Sequence, residues 1–262
     1  MDVKAVDVRA VDLNADLGEG FGSWRLGDDE GLLGIVTSAN VACGFHAGDA
    51  VTMRRVCEQA ADRGVAIGAQ VGYRDLPGFG RRRIDYEPME LRDEIIYQIA
   101  ALDGFARLQG EKVRYVKPHG ALYNTAAVDV YQASAVVAAI VDYDRRLPVL
   151  CLPGSTLAQV ASGAGLRVVA EGYADRAYQP DGNLVSRRQP GAVISTVDTV
   201  AERAVRMATA GEVVATDGTV LVTPVESVCV HGDTPGAVEL ARRVRDALDA
   251  SGVPLRPFTS PL

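Results

Sequence analysis

The sequence predicts one α/β domain, a (β/α) barrel of seven parallel strands joined by helical crossovers. The chain has 262 residues, and an α/β barrel typically takes about 250 residues as a single unit. Short β-rich segments alternate with amphipathic helical segments, which implies parallel strands with helices between them. No linker rich in Gly, Pro or Ser divides the chain. We therefore expect one domain over residues 1–262, with an open doubly wound sheet as the alternative.

Seven segments have the length and composition of buried strands, and residues 1–10 form an extension before the first. In chain order these segments are Val11–Leu17, Ser38–Gly44, Ala66–Gly72, Arg114–Gly120, Pro148–Gly154, Arg167–Tyr173 and Glu226–Gly232. Amphipathic segments predict helices over Ala50–Arg63, Met89–Leu108, Val128–Asp142, Val197–Ala210 and Ala237–Ala250. Asp233 is the expected N-cap of the last helix, with Pro235 in its first turn.

Two segments interrupt the alternation of strands and helices. Residues 174–194 are long, polar and punctuated by Gly and Pro, which predicts an active-site loop. Residues 213–222 carry Asp217-Gly218 between two apolar runs, and this pair is the signal for a tight hairpin turn.

Composition excludes several classes of function. The net charge of -7 offers no basic surface for a polyanion, so we expect no nucleic-acid partner. No segment approaches the roughly 20 apolar residues that span a bilayer, and the N-terminus lacks the apolar stretch of a signal peptide. Cys43, Cys151 and Cys229 lie inside apolar runs without C-x-x-C spacing, as expected of reduced core cysteines. These features predict a cytoplasmic protein with no membrane contact.

Polar residues occupy the strands and their carboxyl ends. Asp12, Asn14 and Asp16 share one face of the first strand, because side chains alternate along a strand. A carboxylate inside a barrel is costly unless it is paired or functional. Most other strands end in a polar residue beside glycine, which lets the backbone approach a ligand closely. Barrel enzymes place their active sites at this mouth.

The three histidines, His46, His119 and His231, all lie at predicted strand ends. One buried histidine is usually a satisfied core residue, but three at one mouth favour a functional role for at least two of them. Lys117 is one of only three lysines and precedes His119 by two residues. It is either an ammonium group for an oxyanion or phosphate, or a lysine whose charge reaches solvent.

Six blocks of residues carry a family resemblance: 12–20, 40–49, 78–82, 116–124, 171–176 and 230–236. They resemble, in order, the signature blocks of the LamB/YcsF family over nearly the whole chain after residue 10. The resemblance implies a seven-stranded barrel similar to the glycoside hydrolase/deacetylase fold. It also implies a role in an ATP-dependent 5-oxoprolinase, which opens 5-oxo-L-proline to L-glutamate together with two partner subunits of B and C type.

One position departs from this pattern, because many family members carry histidine where this chain has Gln70. A glutamine cannot take up a proton, so a hydrogen-bonding role suits it better than acid catalysis or metal binding. The chain also lacks a G-x-x-x-x-G-K-[ST] phosphate-binding loop. ATP is therefore expected as a co-substrate of the complex, held by partner subunits or by a site that the motifs do not show.

The expected roles follow from the needs of amide hydrolysis, which are a base, a cation and substrate anchors. Asp16 is assigned as base or as orienter of a histidine, His46 and His119 as proton-transfer groups, and Lys117 as the oxyanion or phosphate ligand. Asp16, His46 and His119 could also bind a divalent metal, although their spacing matches no metal motif. The residues assigned to substrate binding are Asn14, Gln70, Tyr73, Arg81, Glu171, Asp175, Arg176 and His231.

Two other functions stay open at this point. One is a metal-dependent amidase or carbohydrate deacetylase that acts alone without ATP. The other is a non-catalytic subunit that presents substrate to its partners. The polar strand ends argue against the second, because a scaffold gains nothing from burying them.

Overall fold

The computed structural model describes residues 9–231 and 236–260, and in it seven parallel strands close into a barrel. The strands are β1 (Asp12–Leu17), β2 (Ser38–Ala42), β3 (Ala66–Val71), β4 (Tyr115–Pro118), β5 (Val149–Cys151), β6 (Val168–Tyr173) and β9 (Ser227–Val230). Strand β9 pairs with both β6 and β1, which closes the barrel. The predicted fold class is therefore confirmed.

All seven strands lie inside the predicted segments but are shorter than predicted. Several predicted strand ends are glycines with left-handed φ: 94° at Gly44, 54° at Gly120 and 73° at Gly154. Such a backbone turns the chain away from an extended conformation, and only glycine adopts it without strain. The chain therefore leaves the barrel at the residues that the composition alone assigns to the strand.

The helices between the strands are α1 (Asp29–Leu33), α2 (Ala50–Arg63), α3 (Pro88–Leu108), α4 (Gly120–Ala126), α5 (Val130–Asp144), α6 (Thr156–Gly163), α7 (Val197–Ala210) and α8 (Ala237–Ala250). Helix α2 shows why the sequence marks its ends: Asp49 caps it by accepting from Thr52 N–H, and Gly64 ends it in the left-handed region. Helices α1, α4 and α6 were not predicted, because each is too short to show an apolar period.

A two-stranded antiparallel hairpin, β7 (Glu212–Val214) with β8 (Val220–Val222), occupies the segment for which a hairpin was predicted. The expected N-cap Asp233 lies outside the described residues, and Gly236 precedes the last helix.

Within the described ranges no single helix is long and apolar enough to cross a membrane. Helices α4 and α5, which meet at a bend of 110°, pass that test only as a pair. The four cysteines are free and buried.

The barrel separates an outer apolar core from a polar interior. On β1, Leu13, Ala15 and Leu17 join the main hydrophobic core, while Asp12 and Asn14 bond across the interior. The amino-terminal end of the interior is filled by a small cluster of Tyr115, Leu150, Val169 and Phe258. A Cβ at Gly68 would lie 2.1 Å from the Tyr115 ring, so glycine is required there for the ring to fit. Among the described residues, the polar interior opens toward the carboxyl ends of the strands, where Asp16 and Lys117 line a cavity.

Candidate active site

Asp12 lies deepest in the polar interior and is held entirely by hydroxyl groups. Its carboxylate accepts from Thr37 Oγ1 and Ser38 Oγ, both at 2.6 Å, and from Ser227 Oγ. Burial raises the pKa of Asp12 to about 6, although these hydrogen bonds oppose the rise. Asp12 therefore links three strands and does not contact the mouth.

Asn14 lies one layer closer to the mouth. Its Nδ2 donates to Ser227 Oγ at 2.6 Å, and its Oδ1 accepts from Asn40 Nδ2 at 2.7 Å and from Lys117 Nζ at 3.3 Å. Asn40 also donates to Asp16 Oδ1 at 2.9 Å. Asn14 is fully buried and does not line the cavity, so the structure assigns it to support Lys117 and corrects its predicted substrate contact.

Lys117 forms the centre of the site. Its side chain is 2% exposed, and Nζ lies 2.7 Å from Glu171 Oε1 and 3.2 Å from Asp16 Oδ1. Burial alone would lower the pKa of Lys117, but the two carboxylates and the Cys229 thiol outweigh it and hold the pKa well above its usual value. The pKa of Asp16 is lowered in turn, against its own burial, chiefly by Lys117. The interpretation of Lys117 as a solvated lysine is therefore wrong.

His46 and His119 form a stacked pair, with ring centroids 3.9 Å apart and an interplanar angle of 9°. His119 Nε2 donates to the carbonyl of Phe79 at 3.0 Å, and His46 Nε2 lies 3.2 Å from Gln70 Oε1. Burial lowers the pKa of both rings, that of His119 to about 4. Both rings are therefore neutral near pH 7, which makes them weak bases for the proton-transfer role predicted from the sequence.

His231 forms a second kind of histidine site, backed by Asp175. Its Nδ1 lies 2.7 Å from Asp175 Oδ2, and its backbone N–H reaches the same oxygen at 3.3 Å. The pKa of Asp175 is lowered, because the contacts with His231 outweigh its burial. A carboxylate can only accept, so Nδ1 carries the proton of this hydrogen bond and Nε2 is the ring nitrogen left for a ligand. His231 also lines the cavity and stacks on Tyr173.

These groups meet at a cavity of about 650 Å³. Asp16, Lys117, His119, Tyr173 and His231 line its inner part. Its outer wall is formed by α4 and by part of the long loop at 174–194, for which an active-site position was predicted. Five arginines line it: Arg81, Arg82, Arg176, Arg187 and Arg188. The cavity therefore offers a buried ammonium and a histidine at its inner end and positive charge toward its entrance.

Three predicted substrate contacts need correction or refinement. Tyr73 lies two residues beyond the end of β3 in the main hydrophobic core, and its hydroxyl donates to Gln132 Oε1 at 2.6 Å. It does not line the cavity. Arg176 does line it, but its guanidinium donates to the carbonyls of Val185 and Ala192 and so anchors the loop. Glu171 pairs with Lys117.

Glu19 is a site residue that the sequence reasoning did not single out. One oxygen of Glu19 and one ring nitrogen each of His46 and His119 lie within 4.8 Å of one another. The carboxylate in this group is Glu19, while Asp16, which was predicted for a metal site, has Oδ2 4.0 Å from His119 Nδ1. The sequence could have indicated Glu19, because it lies between two glycines, Gly18 and Gly20, directly after β1. In the structure Gly18 has φ of 69° and turns the chain at the end of the strand.

Comparison with known proteins adds independent findings. The model of the LamB/YcsF family matches residues 11–262. The chain is 62% identical to the 5-oxoprolinase subunit of A type from Streptomyces avermitilis over 95% of this chain and 99% of that protein. It is 60% identical to the corresponding 5-oxoprolinase subunit of Mycobacterium avium, also of A type, over 95% and 98%.

Among solved structures, the lactam utilization protein of Thermus thermophilus matches with a TM-score of 0.91 and 42% identity, covering 95% of this chain and all of that one. A protein from Enterococcus faecalis, provisionally described as a cellobiose-phosphate cleavage protein, matches with a TM-score of 0.56 and 14% identity. The match covers 95% of this chain and 97% of that one. The second likeness concerns the fold alone.

Proposed function

The chain belongs to the LamB/YcsF family, and from this premise we propose that it is the lactam-opening subunit of a multi-subunit 5-oxoprolinase. The complex converts 5-oxo-L-proline, ATP and two water molecules into L-glutamate, ADP and phosphate. The observation that carries the proposal is the buried Lys117 ammonium at the inner end of the cavity, beside the Asp175–His231 pair. The relatives named as 5-oxoprolinase subunits and as a lactam utilization protein support the substrate class.

The chemistry explains why such a pair of groups is needed. An unstrained lactam resists water, and transfer of the γ-phosphoryl group from ATP to its carbonyl oxygen makes the ring carbon electrophilic. Water then attacks that carbon, one proton leaves to a base, and the C–N bond breaks as the ring nitrogen takes up a proton, which leaves an acyl phosphate. A second water molecule hydrolyses this acyl phosphate to the γ-carboxylate and phosphate. Lys117 stabilises the negative charge on the oxygen or phosphate, and His231 accepts the proton of water through Nε2.

The surrounding residues fit supporting roles. Asp16 and Glu171 keep Lys117 charged and hold its ammonium in place, and Asp175 orients His231. The arginines at the entrance, Arg81 among them, suit the carboxylate of the substrate or a phosphate group. Since His46 and His119 are neutral, they are better suited to orienting ligands than to carrying protons.

Partner subunits of B and C type are part of this proposal, and the rim of the mouth suits their attachment. Trp24 is 68% exposed and lies with exposed Leu26 in the loop after β1. Val128, before α5, and Val130 and Tyr131, in its first turn, are also exposed. Val128 also lines the cavity. Large apolar side chains beside an arginine-lined entrance fit a partner surface that is apolar with acidic residues at its edge.

Reconstitution tests the proposal. The chain should be co-expressed with the proteins encoded beside it, and glutamate release measured with 5-oxoproline and ATP. We expect release by the complex and none by the isolated chain, in which we identify no phosphate-binding loop motif. Turnover by the complex without ATP, or no turnover by a complex that has assembled, would contradict it.

The stand-alone amidase or deacetylase is the second candidate, favoured by the Glu19, His46 and His119 group. Incubating the isolated chain with acetylated sugars and added Zn²⁺ separates the two functions. Acetate release would favour the deacetylase, and we expect none.

A further inference from the structure

Three buried side chains beside the cavity, none of which pairs with Lys117, place atoms that could bind a metal close to one another. These are Glu19, His46 and His119, with one donor atom from each within 4.8 Å of the others. Two imidazoles and one carboxylate are the protein ligands of many catalytic zinc sites. We propose that this group binds a divalent transition-metal ion, with Zn²⁺ as the best fit.

The first argument is the tautomer of His119. The Phe79 carbonyl can only accept a hydrogen bond, so Nε2 carries the proton of that bond and Nδ1 is the ring nitrogen that can bind a metal. Nδ1 faces two carboxylates: it lies 3.9 Å from Glu19 Oε1 and 4.0 Å from Asp16 Oδ2. A cation between the ring and a carboxylate would be bound from both sides.

The second argument is the separation of these atoms. With Zn–N and Zn–O bonds of about 2.0–2.2 Å, two ligands of one tetrahedral ion stand about 3.4 Å apart and at most about 4.2 Å. A water molecule that donates to both atoms would hold them about 4.5 Å apart. The observed 3.9 Å between Nδ1 and Glu19 Oε1 falls within the range of the metal.

The third argument is the outer support of the two rings. Metal-binding histidines usually use their other nitrogen to bond a carbonyl or carboxylate, which fixes the ring. His119 bonds the Phe79 carbonyl and His46 bonds Gln70 Oε1 through Nε2. Within the described part of the chain, His46 Nδ1 and Gln70 Nε2 have no hydrogen-bond partner. Parallel rings cannot both direct in-plane lone pairs at one ion, so we expect the 9° angle between them to open on binding.

Isothermal titration of the chelator-treated protein with Zn²⁺ alone tests the site, with Co²⁺ absorption as a second readout of ligation. We expect one ion per chain, and Glu19→Gln and His46→Asn should each weaken Zn²⁺ binding by more than the roughly 10- to 100-fold typical of a lost outer partner. His231→Asn is the matched control, because it removes the third histidine without touching the group. Circular dichroism checks that each variant is folded.

Asp16→Asn separates the two possible carboxylates. If Glu19 is the ligand, Asp16→Asn should weaken Zn²⁺ binding less than Glu19→Gln does. The proposal is overturned if the folded wild-type protein binds no Zn²⁺ at stoichiometric concentration, if Asp16→Asn weakens binding more than Glu19→Gln, or if His231→Asn removes binding. These readouts do not depend on catalytic turnover, so they stand apart from the proposed 5-oxoprolinase reaction.

Discussion

Replacing Lys117 by methionine perturbs both the chemistry and the stability of the barrel, and the structure separates the two effects. From the sequence alone, Lys117→Met was expected to leave folding nearly intact. The structure changes that expectation, because Nζ lies between Asp16 and Glu171 in a fully buried environment. Removing one partner of a buried ion pair leaves an uncompensated charge and typically costs about 3–5 kcal/mol. We therefore expect a clear loss of unfolding free energy in urea.

The double variant Lys117→Met with Glu171→Gln is the matched control for stability. It removes the ammonium together with the carboxylate that lies 2.7 Å from it, so one charge fewer is left unpaired. We expect it to recover much of the lost stability, since replacing both partners of a buried pair is often close to neutral. Equal destabilisation in the single and double variants would contradict the ion-pair account.

Turnover of the reconstituted complex is measured well below the melting temperature, so that the folded fraction stays near one. If the ammonium meets an oxyanion or phosphate, both variants should lose about 100- to 1000-fold in rate, or about 2.7–4 kcal/mol of transition-state stabilisation. Lys117→Arg keeps the charge but replaces a compact donor with a planar fork, and we expect it to be nearly as inactive. Wild-type turnover in the stable double variant would remove Lys117 from the mechanism.

Three further predictions test other parts of the structure. The pKa of Asp12 is about 6 in the folded chain against 3.8 as its ordinary value, so the folded state holds a proton that the unfolded state releases. Relative to Asp12→Asn, wild-type stability should therefore fall by about 3 kcal/mol as the pH rises from about 3 to about 7; parallel urea-unfolding curves would contradict this. Asp175→Asn should lower kcat of the complex by about 100-fold or more with little change in KM, because His231 loses the partner that fixes its tautomer; a change in KM alone would make the contact structural. Trp24→Ser should weaken co-purification with the partner subunits, whereas Leu108→Ser, 62% exposed at the far end of α3, should not; equal loss in both would exclude the mouth rim as the attachment surface.

Much of the barrel and part of the site could be predicted because they depend on local pattern. The alternation of side chains along β1 places Asp12, Asn14 and Asp16 on one face whatever the rest of the chain does. The same alternation, continued from Gln70 past the end of β3, points Tyr73 away from the interior, in agreement with its position in the main hydrophobic core. Glycines after several strands, such as Gly18, Gly44 and Gly120, indicate that the chain turns at the mouth. The three histidines all follow strands at this end.

Only the tertiary structure decided which of these groups meet. Lys117 pairs with Glu171 because closure places β9 between β6 and β1 and brings strands far apart in sequence across one interior. Glu19 joins Asp16 beside His119 because the turn at Gly18 carries it back over the mouth. His231 differs from His46 and His119 through one neighbour, Asp175, supplied by a loop whose path no periodicity encodes. The local sequence pattern determines on which face of a strand, and at which end of the barrel, a side chain lies. Which group it pairs with, and so whether it is charged, depends on distances that closure of the barrel sets.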